Sequence, residues 1–177
     1  MSVILWLIAV EVIGLAAFPL AAFLFPRLRD FGFTLSKTLG ILLIGYATWM
    51  LSVLRIVPAG QVAGAVLLVV LGAVSAKLFW DRRDRFRTMW TRERRAIIAG
   101  EVLFLVVFGA WLLYRAYDPA IDHTEQPMDF MYLNAAARAD VGIPEDPWLR
   151  GEAVSYYYFG YWMISALTRL VGIPTGV

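Results

Sequence analysis

The stretch from 118 to 152 holds most of the side chains that could do chemistry. Asp118, Asp122, Glu125, Asp129, Asp140, Glu145, Asp146 and Glu152 stand there against Arg138 and Arg150. Within it, "DHTEQPMDF" packs Asp122, His123, Glu125 and Asp129 into nine residues. Oxygen-rich runs of this kind suit a hard divalent cation such as Mg or Mn, with Asp122, Glu125 and Asp129 as ligands. They suit equally a carboxylate base that deprotonates a hydroxyl nucleophile. A solvated acidic loop has the same composition. His123 is the sole histidine, so a histidine-based metal cluster is excluded. There is no cysteine, which removes disulfides, thiol nucleophiles and cysteine zinc sites.

Just after this loop comes "GEAVSYYYFGYWM", with Tyr156, Tyr157 and Tyr158 in a row. Aromatic belts are ordinary at membrane interfaces. On a helix, however, three consecutive rings cover about 300° of circumference at ~100° per residue. At least one must turn toward the loop or the bundle, where its hydroxyl needs a partner. Gly160 leaves a notch beside them. Rings and acids at headgroup depth suit a sugar carried on a lipid phosphate. Arg115, Arg138 or Arg150 could neutralise the phosphate, and Arg150 is preferred because it immediately precedes the tyrosines.

The elements that position these residues are membrane helices. Of 177 residues, 60% are hydrophobic, above the usual share for soluble domains. They fall in blocks long enough to cross the bilayer. The pattern predicts an all-α polytopic bundle of about five spans, at 3–25, 35–54, 59–80, 96–117 and 154–171. One external loop carries a membrane-surface helix, "PMDFMYLNAAARAD", with Met128, Met131, Tyr132 and Ala135 on one stripe. The third span opens on Gly60-xxx-Gly64. Arg82, Arg83, Arg85, Arg87, Arg92, Arg94 and Arg95 form a basic loop over 81–95, which the positive-inside rule assigns to the cytoplasm. Alternation then puts the N-terminus and the 118–152 loop outside, in a multi-pass cell-membrane protein. Residues 1–95 read as an N-terminal three-span region and 96–177 as the start of a second, core region. Glu11 and Glu101 fall inside spans, where acids face protein or a cavity and serve a proton or substrate path or a simple hydrogen bond. Lys37 and Lys77 are expected to snorkel to the inner interface. A net charge of +2 gives no reason to expect a nucleic-acid partner.

"EQPMDFMYLNA", "PEDPWLRGE" and "YYYFG" together resemble the YYY membrane protein family of prokaryotes, from about Glu101 onward. Gln126 stands where that family usually has Lys. The family's members are several times longer, so the resemblance implies an N-terminal fragment whose remainder is a partner of this piece. The family looks like GT-C glycosyltransferases in its order of span, acidic external loop and span. That likeness implies a polyprenyl-phosphate sugar donor in membrane lipid. Asp129 or Glu125 would be catalytic base or metal contact. Tyr156, Tyr157, Tyr158, Arg150, Asp146 and Trp148 would bind substrate. Two other classes remain open: a transporter or flippase-like carrier centred on Glu11 and Glu101, and a non-catalytic membrane assembly subunit.

Overall fold

Apolar blocks without internal polar breaks can satisfy their backbone in lipid only as helices, and the computed structural model, which describes residues 2–175, is all-helical as expected. Met1, Gly176 and Val177 lie outside the described residues. Four helices are long and apolar enough to span a membrane: α1 (Ser2–Leu24), α2 (Phe33–Val53), α3 (Gln61–Asp81) and α4 (Arg83–Tyr117). Two shorter ones follow, α5 (Gln126–Arg138) and α6 (Phe159–Val171).

The antiparallel pair α1–α2 is the centre of the bundle. Lipid offers no hydrophobic drive between helices, so close backbone approach at small residues must supply the contact. Gly14 sits against Lys37: a Cβ there would lie 2.6 Å from the lysine Cγ. One at Gly40 would lie 2.5 Å from Ile13 Cγ2. Around this seam Val10, Ile13, Ala17 and Ile44 are buried with Leu71 of α3 and Leu167 of α6. Buried hydroxyls along it bond to their own helices, Ser36 to Phe33 O at 2.7 Å and Thr48 to Ile44 O at 2.9 Å. Gly60 of the Gly-xxx-Gly pair faces open space, and Gly64 rests on Leu170.

The basic segment is not a loop. Only Arg82 separates α3 from α4, and the other six arginines occupy the first four turns of a single 35-residue helix, about 52 Å long. Arginine is a good helix former, and a long apolar helix downstream removes the cost of nucleation. All seven guanidinium groups are exposed, and that of Arg82 lies 4.6 Å from the Phe23 ring centre. Lys77 pairs with Asp81 one turn on, at 3.1 Å.

The fifth expected span also differs. Residues 154–158 are not helical, and α6 has 13 residues, about 20 Å. Gly172, at φ 72°, closes it with its N–H on Thr168 O and Arg169 O. Both ends of α6 sit at the end of the bundle where α2 turns into α3. Near its start the Tyr158 hydroxyl accepts from Trp49 Nε1 at 2.9 Å. Near its finish Gln61 Nε2 donates to Leu170 O at 3.4 Å. The helix therefore lies across that end instead of carrying the chain to the other face. Its buried stripe, Trp162, Ser165, Ala166 and Leu167, is pressed against α1–α3.

Arg169 fixes this arrangement. Its Nη1 donates to Ala59 O at 2.7 Å, in the α2–α3 turn. Nη2 donates to Ala136 O and Ala139 O, both at 3.0 Å, and Nε to Ala137 O at 3.2 Å. The last three carbonyls end α5, where helices leave acceptors unpaired and the dipole favours a cation. Ala59 N donates to Asp140 O at 2.6 Å and closes the same joint. Replacing Arg169 by Ala should destabilise the protein by about 3 kcal/mol, the scale of losing charged hydrogen bonds to buried acceptors, read as a lowered midpoint of thermal unfolding in detergent. Arg169→Lys should rescue little, because one ammonium cannot span that fork. Gly14→Val should cost about 1–3 kcal/mol by overpacking the α1–α2 seam, read in the same assay, whereas Gly60→Val should be neutral.

Candidate functional site

Helix α5 begins with Pro127 in its first turn and carries Asp129 there, near the positive end of its dipole. At ~100° per residue, Asp129, Tyr132 and Ala136 share one face, and Met131, Asn134, Ala135 and Arg138 share the opposite one. The structure uses the two faces differently.

On the first face, the Tyr161 hydroxyl donates to Asp129 Oδ1. The α5 and α6 contacts keep step: Asp129 meets Tyr161 at one end, and Ala137 meets Arg169 eight residues later on both helices. The two helices thus run parallel, side by side. Tyr132 stacks between Tyr161, at 5.8 Å and 24°, and Tyr156, at 5.3 Å and 17°. Tyr156 in turn packs on Tyr157 with ring centres 3.8 Å apart, and its hydroxyl donates to the Tyr157 hydroxyl at 2.5 Å. That hydrogen bond is the chief reason the Tyr156 phenol is pushed up to about 12. It stays protonated at neutral pH and acts as a hydrogen-bonding group, not a base. The result is a continuous row, Asp129–Tyr161–Tyr132–Tyr156–Tyr157, ending in exposed rings.

Tyr158 does not join the row. It points into the bundle to Trp49, beside buried Trp162. One of the three therefore turns into the bundle while Tyr156 and Tyr157 stay together, and the parting comes from a bent, non-helical segment before α6 and not from the circumference of a helix.

On the second face of α5 lies a cleft of about 830 Å³ whose walls include Asn134, Arg138, Asp140, Glu145, Asp146 and Arg150. Residues 144–154 fold back on themselves there, with Val154 N on Pro144 O at 2.9 Å and Asp146 N on Glu152 O at 2.8 Å. Asp146 Oδ1 accepts from Trp148 N at 2.8 Å, Glu145 Oε1 accepts from Gly151 N at 2.6 Å, and Trp148 Nε1 donates to Met131 Sδ at 2.5 Å. Arg150, Asp146 and Trp148 are therefore gathered together, across α5 from Asp129 and the tyrosine row. Arg115 is spent on Ala120 O and Pro119 O at the end of α4.

The acids of the loop do not converge. Glu125 caps the start of α5 without a side-chain hydrogen bond to its backbone. Asp122 lies 3.5 Å from His123 Nε2, and Asp118 lies 3.1 Å from the same nitrogen. Among the described residues, no three His, Asp or Glu side chains come close enough to hold a metal ion. The expected cation set of Asp122, Glu125 and Asp129 is not assembled.

Inside the membrane region, Glu11 and Glu101 meet. Lys37 Nζ lies 3.0 Å from Glu11 Oε2 and 2.5 Å from Glu101 Oε2. Instead of snorkelling, the lysine is buried and joins α1, α2 and α4, with its ammonium over the rings of Phe104 at 4.4 Å and Phe33 at 5.4 Å.

Sequence reasoning missed Tyr161 and Arg169. No local signal marks them: the eight-residue step they share with Asp129 and Ala137 has meaning only once α5 and α6 lie side by side. Tyr132, on the expected stripe with Met128, Met131 and Ala135, is instead part of the ring stack.

Among curated proteins and among solved structures nothing matches. A family model described as "Uncharacterized membrane protein (DUF2298)" matches residues 43–177. The match takes in the second half of α2 and all of α3 as well as the acidic loop and α6, more of the chain than the quoted motifs span. The chain belongs to this family of membrane proteins, DUF2298.

Proposed function

We propose that this chain carries the outer-face site of a glycosyltransferase-like membrane enzyme using a polyprenyl-phosphate-linked sugar. The observation that supports this reading is the Asp129 carboxylate, oriented by Tyr161 at the end of a row of stacked phenols. Aromatic faces take up the apolar side of a sugar ring, and phenol hydroxyls bond its polar edge. With Oδ1 held by Tyr161, Asp129 Oδ2 makes no hydrogen bond among the described residues. It is the atom to accept the acceptor's hydroxyl proton. As that proton leaves, the acceptor oxygen bonds to the anomeric carbon. The carbon–oxygen bond to phosphate breaks, and the lipid phosphate departs with its electron pair. No step is routed through a cation, since the acids are not gathered for one. Arg138 and Arg150 lie across α5, so the reading rests on the carboxylate and the rings. The GT-C likeness is an analogy of architecture, which by itself does not establish activity.

The side of the membrane is part of the proposal. Arg82 and the six arginines that open α4 favour the cytoplasm, and Asp129 then faces outside. A cysteine introduced at 129 in this cysteine-free chain should react with an impermeant thiol reagent in intact cells, and protection until lysis would overturn the orientation. Asp129→Asn should abolish sugar transfer in membranes with insertion unchanged. Tyr161→Phe, which frees Oδ1, should lower transfer by about 10-fold or more.

A second reading, a carrier, is favoured by the Glu11–Lys37–Glu101 cluster within the membrane. It expects pH-dependent uptake that disappears with Glu101→Gln and survives Asp129→Asn. The opposite pattern supports the enzyme.

A further inference from the structure

Two carboxylates and one ammonium meet where three membrane helices cross. The site is built for this: Gly14 clears the path of the lysine stem, and the Phe33 and Phe104 rings flank its ammonium. Lys37 bonds Glu101 more closely than Glu11, at 2.5 Å against 3.0 Å. Glu11 Oε1 is buried with no hydrogen-bond partner among the described residues. Among the described residues no other charge balances the site. On α3, Lys77 and Asp81 pair with each other. On α6, Arg169 is bound to carbonyls and Tyr161 to Asp129. Asp30, at the head of α2, accepts from Gly32 N and Thr34 N. Arg94 and Arg95 lie about two turns before Glu101 on α4 and are exposed. With both acids ionised, the cluster would hold an uncompensated negative charge away from water, which costs several kcal/mol.

We propose that the Glu11–Lys37–Glu101 cluster is a proton-binding site that holds one exchangeable proton at neutral pH, carried by Glu11. Lys37 and Glu101 then form a neutral pair, and the cluster has no net charge. A bound metal ion in its place is disfavoured by the donor set. One free oxygen serves a proton, whereas a hard cation needs about six. The site also bears on α4, whose apolar stretch is the least buried of the four spans. Beside the cluster, α4 meets α2 where Gly100 faces the Thr34 methyl. Lys37–Glu101 is the polar tie there, and losing the proton would make Glu11 compete for the same ammonium. The inference is independent of the sugar-transfer reading, since no residue is shared.

The test is infrared spectroscopy of the purified chain in lipid bilayers, following the C=O stretch that only a protonated carboxyl shows. Exposed acids titrate near pH 4, so a band persisting at about pH 7 comes from a shifted group. The expected result is one such band in the native protein. It should vanish in Glu11→Gln and also in Glu101→Gln, because the remaining acid then pairs one-to-one with Lys37. It should about double in Lys37→Met, where both acids must be neutral. No band in the native protein at about pH 7, a measurement that needs no variant to fold, would overturn the proposal. So would a band that survives both glutamine variants, or one that is lost when sodium is added at constant pH.

Discussion

A guanidinium with four carbonyl partners organises the end of this bundle. Arg169 sits on α6, yet every acceptor it binds belongs elsewhere: Ala59 in the α2–α3 turn, and Ala136, Ala137 and Ala139 at the close of α5. Free carbonyls at a helix end must find donors, and near a membrane water is a poor supplier. One side chain with a rigid fork of donors serves several at once. Because it does so, α5 must lie parallel to α6, and both must lie against the end of α2 and α3. The position of Asp129 next to Tyr161 follows from that constraint, since the two helices keep the same eight-residue step.

The other determinant is close approach at glycine. Gly14 and Gly40 let α1 and α2 come near enough that Lys37 has no route to the surface. A lysine held there must meet acids: Glu11 comes from α1 itself and Glu101 from α4. The chain thus keeps two polar assemblies apart. One is a charged cluster among the spans, and the other is a row of phenols ending in a carboxylate at the α2–α3 end. They share the bundle but no residue.

Much of the fold could be read from hydropathy. Long apolar blocks have one structural solution in lipid, so α1 to α3, the end of α4 and the short α5 were legible within a few residues. Two elements were misread for one reason: composition does not report continuity. The arginine-rich stretch looks like a loop because it is charged, but helix propensity and the adjoining apolar helix carry it into α4. The stretch from 154 onward looks like a span because it is apolar, but its apolar face is used to cover α1–α3 from one end. The candidate site was half legible. Asp129 and the tyrosines were picked out by type and nearness in sequence. Tyr161 was not, since nothing local marks a phenol as the partner of an acid 32 residues earlier.

By itself the sequence determined membrane residence, the helical class, the acidic loop and the identity of the side chains able to do chemistry. These follow from hydropathy, charge and residue type, which are properties of short windows. Only the tertiary structure decided which of those side chains meet. Asp146, Trp148 and Arg150 come within ten residues of Tyr156 in the sequence, yet α5 stands between them and Asp129. Glu11 and Glu101 are far apart in sequence and share one lysine. The physical reason is that a helix sends residues three or four apart to one side and intervening residues to the other. Proximity in the chain therefore fixes a level along an axis, and only packing fixes the face.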